Sequence, residues 1–219
     1  MKTTPILSLD LADTNGLHWC QTQVQHHHYL HKPVDVRSSP VAYILTRDGE
    51  RVGCLIFGRP ESTRCNGWYG SVADVASGKC RITRWQVLNL ARVWLSPDIQ
   101  QGGLRYVENA ATWCIAQALR RVVFDYLTVK PPVWMHEPYE IREVLSYCDT
   151  RVHTGTLYRA SNFAHMRIND YGIETYMRSV RRLSHAEKAT IHQHSEQSKR
   201  CQKLRATRAQ MQLWEEVTV

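Results

Sequence analysis

Apolar and polar positions fall in blocks along this chain, and the blocks predict alternating helices and strands. "HWCQTQVQHHHYLH", His18 to His31, has no Gly or Pro and predicts a helix ending before Lys32-Pro33. "VAYILTR" and "RVGCLIFG" flank Asp48-Gly49, a two-residue hairpin signal. The turn-rich stretch "RPESTRCNGWYGSVADVASGKCRITRW" is longer than an ordinary connection, and loops of that length are commonly functional. "VLNLARVWLSP" is apolar on both alternations and predicts a central strand covered on both faces. Arg92 interrupts the face that Leu88, Leu90 and Trp94 would supply. Pro97 ends this strand and "DIQQGG" turns the chain.

From Tyr106 to Arg121, residues Val107, Ala110, Ala111, Cys114, Ile115, Ala118 and Leu119 follow helical spacing. "VVFDYLTV" reads as another buried strand, stopped by Pro131-Pro132, and "EIREVLSYC" suits a short helix or a strand equally. Gly155 precedes a second amphipathic helix, Thr156 to Asn162, and "FAHMRI" with "ETYMRSV" predicts an antiparallel pair around Asn169 to Gly172. Ser184 and Glu187 form a capping box that opens a polar helix toward Trp214. The expectation is an α+β fold with a mixed, mostly antiparallel sheet, residues 1–180 forming the body and 181–219 a basic helical extension.

Composition changes this picture in two places. Hydrophobic residues make up 43% of 219, enough for a sizeable core, but no apolar run approaches the roughly 18–20 residues that span a bilayer. Asp10, Asp13 and Asn15 break any secretory signal, so the expected location is the cytoplasm and the seven cysteines are expected as thiols. Cys54, Cys114 and Cys148 read as small buried hydrophobes. The net charge of +8 favours a polyanionic partner, and its excess is concentrated. Between Arg181 and Arg208 there are eight cations against Glu187 and Glu196.

Candidate chemistry follows from a few residues. "PDIQQGGLR" places Gln100, Gln101, Gly102 and Gly103 ahead of the long predicted helix, where free N–H groups and the helix dipole would seat a pyrophosphate. Arg92, a cation on a buried strand, requires an anionic partner: Asp149, or else an oxygen of a ligand. His28 and His31, three apart, would share a helix face, and either would accept a proton from an attacking amine. His28, His31, Asp149 and His153 are also donor types used by zinc and iron, although their spacing matches no local metal motif. In the long loop, Arg64, Trp68, Tyr69, Lys79, Arg81 and Arg84 interleave cations with aromatics. That mixture suits phosphate contact and base stacking, or else simple coverage of the sheet.

The order of elements resembles the GNAT N-acetyltransferase superfamily, in which a central strand splays and a pantetheine arm enters the gap. Gln100-Gln101-Gly102-Gly103-Leu104-Arg105 is similar to the superfamily's phosphate pattern, with Arg105 where Gly or Ala is usual. "LYRASNF" resembles its L-Y-x-x-x-G-F segment, with Asn162 in place of Gly. The resemblance implies acetyl-coenzyme A or another acyl-coenzyme A along Val93, Trp94 and Leu95, and Tyr158 as proton donor to the departing thiolate. Together "HHYLH", "LNLARVWLSP" and "SYCDTRVHTGTLYRASNF" resemble the Mom-type DNA modification proteins of phages, a divergent GNAT branch. That family implies double-stranded DNA as partner, transfer of a carbamoylmethyl-type group to the N6 amine of adenine, and protection from restriction. It points to His28, Arg92, Asp149 and Tyr158 as catalytic. Two other readings stand beside it: a GNAT acting on a protein, RNA or small-molecule amine, and a catalytically silent DNA-binding or host-interaction protein. Oligomeric state stays open, a homodimer included.

Overall fold

The computed structural model describes residues 6–62, 65, 67–130 and 140–217, with side chains as far as 203. An element absent from the sequence reading opens it: β1 (Leu7–Leu11) is an edge strand paired antiparallel with β2 (Val41–Arg47). Between them lies α1 (Thr14–His27). It starts four residues before the expected helix because Asp13 caps it, its Oδ1 accepting the Gly16 N–H at 2.7 Å. It also ends earlier, with His28 in an extended conformation. The hairpin to β3 (Glu50–Gly58) turns at Asp48 and Gly49, both at positive φ, as a type I′ turn needs.

The segment 59–86 contains β4 (Tyr69–Gly70), α2 (Val72–Ala76) and β5 (Ile82–Thr83), and β4 and β5 form a small parallel pair. The central strand is β6 (Val87–Leu95). Next comes α3 (Ala110–Val129), which corrects the expectation of a strand at "VVFDYLTV". Nothing between Arg121 and Val122 breaks a helix. The buried positions Cys114, Ile115, Ala118, Leu119, Val122, Val123, Tyr126 and Leu127 keep one unbroken helical stripe. Packing of that stripe overrides the strand preference of valine and phenylalanine. Pro131 and Pro132 lie outside the described residues.

The chain closes with β7 (Glu143–Asp149), α4 (Thr156–Ala160), the hairpin β8 (Ala164–Ile168) and β9 (Ile173–Ser179), then α5 (His185–Val217). "EIREVLSYC" is thus resolved as strand. Ser184 and Glu187 form the expected capping box, the Glu187 N–H donating to Ser184 Oγ and the Ser184 N–H to Glu187 Oε2. Leu183 and Ile191 are buried, so the first turns of α5 pack into the core that α3 organises. The seven-stranded sheet runs β1-β2-β3-β6-β7-β9-β8, with β6 and β7 parallel and every other pair antiparallel. Cys54, Cys114 and Cys148 are buried free thiols, as expected. Among the described residues no helix is long and apolar enough to cross a membrane.

Candidate active site

The sheet opens in its middle. β6 and β7 pair only at Val87–Glu143, Leu88–Val144 and Asn89–Leu145, although both strands run on. Burial along β6 records the separation: Val87 to Leu90 are buried, whereas Ala91 to Trp94 are only half-buried. At the fork the buried Ser146 hydroxyl donates to the Leu90 carbonyl at 2.8 Å, closing the last rung with a side chain.

A β-bulge at the same level sets which way Arg92 faces. Opposite Ile56 and Phe57 the register jumps from Arg92 to Leu90, leaving Ala91 as the extra residue. Leu88 and Leu90 therefore share the α3 face with Val93 and Leu95, whereas Ala91 and Trp94 pack on the α1 side. This corrects the single face assigned to Leu88, Leu90, Arg92 and Trp94, because an inserted residue reverses the alternation. Strand alternation puts Arg92 with Trp94. There its Nη1 donates to Ala91 O at 2.7 Å, while its Nε is buried without a hydrogen-bond partner. Burial lowers the Arg92 pKa, and the nearby Tyr29, Glu61 and Tyr158 pull it back up.

Asp149 does not pair with Arg92. Its carboxylate is held by Arg151, through Nε at 2.9 Å and Nη2 at 2.7 Å, and its pKa is lowered to about 2 chiefly by that hydrogen bonding. The turn after β7 brings Arg151 back onto its own strand end, closer than any guanidinium across the gap. The charge of Asp149 still acts on Tyr29, raising its phenol behind the larger effect of burial.

His28 and His31 do not share a helix face, because α1 ends before both and His31 sits at φ 45°. His28 Nδ1 accepts the Leu30 N–H at 3.2 Å. Burial first, then the Arg92, His153 and His31 charges, lower its pKa to about 4. A neutral ring that accepts at Nδ1 carries its proton on Nε2, so His28 is placed as a hydrogen-bond donor rather than a base. Tyr29 bridges the cluster, its ring 4.5 Å from His28 and 4.9 Å edge-on to His153.

The lowered His28 pKa has a measurable consequence. The unfolded ring titrates near 6.5 and the folded one at about 4, so below pH 6.5 the unfolded state takes up the proton first. Stability is lost as pH falls from 6.5 toward 4. Denaturant midpoints at pH 7 and pH 5 are expected to differ more for the wild type than for His28→Gln.

Tyr158 enters the gap from α4, on the α3 side. Burial pushes its phenol up to about 12, with Ser146 and Arg92 acting in the opposite direction. Its ring stacks on Tyr176 at 5.1 Å and meets Phe163 edge-on at 5.9 Å. Tyr176 is fixed in turn, donating to Glu174 Oε2 at 2.6 Å and accepting from Arg159 Nη1 at 2.8 Å. A Cβ at Gly155, which has φ 70°, would overlap the Tyr176 hydroxyl, so the glycine is required by close approach as well as by conformation. Asn162 stands at φ 58°, a left-handed position that asparagine tolerates, which accounts for its replacing the Gly of the motif.

The turn after β6 differs from expectation. Gly102 and Gly103 do not abut a helix N-terminus, because α3 begins only at Ala110. Gln100 donates to Leu95 O at 2.7 Å, and Arg105 is engaged by Asp98 and Glu50. Trp94 is stacked with His27 at 5.3 Å and meets Trp19 at 6.1 Å, so it lies behind the open edge of β6 and not in the gap. Val93 and Leu95 keep their places beside the cleft on the α3 side.

The metal expectation is corrected. Among the described residues no three His, Cys, Asp or Glu side chains come together as metal ligands. Asp149 is committed to Arg151, His28 Nδ1 accepts from Leu30, and His31 Nδ1 lies 3.3 Å from Gln25 O. The donors present do not fit the ion, and no step is routed through one.

The loop aromatics cover the sheet. Tyr69 is fully buried with Cys65, Ile82, Val87, Leu145 and Met177, and Trp68 donates to Glu143 Oε2 at 2.9 Å. Tyr69 is therefore not a stacking platform. Lys79 and Arg81 are exposed, Arg81 lies 5.0 Å from the Trp68 ring, and Arg64 falls outside the described residues.

A mixed sheet that forks between two parallel strands, with a buried phenol and a half-buried guanidinium near enough to shift one another's pKa, defines a cleft protein of α+β class with the layout expected above. The profile of the Mom protein family matches residues 18–217, and the chain belongs to that family. A search of curated proteins found no match. Solved structures with a similar fold include the aminoglycoside acetyltransferase AAC(6')-Ib in complex with coenzyme A. It has 15% identity and a TM-score of 0.47, covering 80% of this chain and 95% of that one. The N-acetyltransferase PseH of Campylobacter jejuni with acetyl coenzyme A has 9% identity and a TM-score of 0.39, covering 80% and 99%. The AHL synthase LasI has 12% identity and a TM-score of 0.42, covering 81% and 91%.

Proposed function

We propose that the protein is an acyl-coenzyme A-dependent transferase that places a small acyl group on the N6 amine of adenine in DNA, shielding that DNA from restriction. The observation that carries this reading is the fork. β6 offers an unpaired edge beyond Asn89, to which the amides of a pantetheine arm bind as a substitute strand, and Tyr158 borders the fork close enough to Arg92 for their charges to interact.

The acyl-transfer step uses these residues in distinct ways. The acceptor nitrogen bonds to the thioester carbonyl carbon, and the carbon–sulfur bond breaks. The sulfur takes the Tyr158 proton, and the proton released by nitrogen passes through water in the cleft to the phenolate, restoring Tyr158. The phenol, its pKa up to about 12, stays protonated until a thiolate forms beside it. Arg92 and the His28 Nε2–H support negative charge on the carbonyl oxygen. Asp149 positions Arg151 and the Tyr29 side of the cleft rather than accepting a proton, since a carboxylate with a pKa of about 2 is a weak base.

Nucleoside mass spectrometry on DNA from cells producing the protein tests the proposal. A modified deoxyadenosine is expected, its mass separating an acetyl from a carbamoylmethyl adduct. Unmodified DNA from folded, coenzyme-binding protein would overturn the DNA assignment and favour a protein or small-molecule amine.

A further inference from the structure

A cavity of about 340 Å³ lies near the start of β6, where three separate turns meet. Its wall carries Arg37 from the turn after α1, Arg59 just past β3 and Arg84 just before β6, with Ser38, Asp35 and Glu61 among them. Arg59 and Arg84 both lean on Trp85, their guanidinium carbons 4.9 and 5.3 Å from the ring centre. Arg84 Nη2 also donates to Pro60 O at 3.2 Å, which fixes that fork at the wall. Arg37 binds both oxygens of Asp35 and so neutralises one of the two carboxylates. Glu61 is the other, and its charge acts on both Arg37 and Arg92. The wall thus carries three guanidinium groups against two carboxylates, planar forks that suit phosphate oxygens, and the charge of Glu61 reaches Arg92 at the cleft.

Position decides whose phosphate this is. β6 runs from Val87 to Leu95, with the cavity before its start and the Gln100–Gly103 turn beyond its end. Eight steps of about 3.3 Å separate the two ends by roughly 26 Å. The fork lies between them. A pantetheine arm laid along the unpaired edge of β6 beyond Asn89 lies on the far side of the fork from the cavity, which is left to the other reactant.

We infer that this cavity is a phosphate subsite for the acceptor: it grips a phosphodiester of the nucleic-acid strand whose nucleotide is presented at the fork. This rests on the nucleic-acid acceptor proposed above.

The test pairs two titrations on the full chain: fluorescence anisotropy with a short labelled DNA duplex over a range of NaCl concentrations, and calorimetry with coenzyme A. Arg37→Gln and Arg84→Gln are each expected to weaken DNA binding about tenfold, the worth of one charge-assisted hydrogen bond. Each should also lower the salt slope by about 1, leaving coenzyme affinity unchanged. The Arg37 side chain is 89% exposed, so its loss acts through charge and not through the core. Duplex bound by both variants with the wild-type affinity and slope would overturn the inference while leaving the DNA acceptor standing. A fall in coenzyme affinity alongside DNA affinity would reassign the cavity to the coenzyme and also overturn it. A wild-type protein that binds no duplex at any salt would remove the DNA acceptor itself, and this subsite with it.

Discussion

Tyr158→Phe is expected to leave the protein folded and able to bind coenzyme A while slowing turnover by about 100-fold or more. Phenylalanine keeps the ring that stacks on Tyr176 and meets Phe163, so the packing that holds α4 survives. Only the proton is lost. Without it the departing sulfur leaves as a thiolate in a site whose burial already disfavours charge, the same burial that lifts the phenol to about 12. The readout is release of coenzyme A thiol in a single-turnover experiment, beside calorimetric coenzyme binding. Unchanged turnover in this variant would remove Tyr158 from the chemistry and leave it as packing.

Arg92→Met is expected to move stability and activity in opposite directions. The guanidinium is half-buried, with one bond to Ala91 O and a buried Nε that has no partner. Replacing it with an apolar chain of similar length removes an unsatisfied donor, so the unfolding free energy should rise by about 1 kcal/mol in denaturant titration. Activity should fall by about 100-fold, because the charge that supports the carbonyl oxygen is gone. A half-buried guanidinium with no carboxylate partner among the described residues is kept for what it does with ligand, not for what it adds to the fold. A variant both less stable and inactive would instead mark Arg92 as structural.

The sequence exposed those parts of the molecule whose cause is local. Asp48-Gly49 sets its turn through its own backbone preference, and Ser184 with Glu187 caps α5 across one helical turn. The short helix that carries Tyr158 was legible for the same reason, since Gly155 and Asn162 bracket it within one short motif. Features that depend on a partner were hidden. The bulge at Ala91 arises from the register with β3, so the facing of Arg92 could not be read from β6 alone. The strand reading of "VVFDYLTV" failed because β-branched residues followed a helical stripe whose stripe-mates lay in the preceding segment. The pairing of Asp149 with Arg151 was overlooked because a cation two residues away looks sequence-adjacent rather than opposed, and only the turn geometry brings it round. Tyr176, Glu174 and Arg159 carried no sequence signal beyond ordinary strand and helix composition. Arg37 and Arg59 carried none either, since their cavity forms only when three distant turns converge.

The three shared rungs between β6 and β7 divide the sheet into two slabs, β1-β2-β3-β6 and β7-β9-β8, with little backbone stitching between them. What joins the slabs is the core under α3, whose buried stripe belongs to one cluster with Leu90 and Leu55 on one side and Val144 and Tyr176 on the other. α3 is thus the buttress across a seam, and the width of the opening is a property of that helix's packing as much as of the strands themselves. A cavity cut at the buried Ile115 would let the seam breathe and blur the separation that the proposed thioester has to fit.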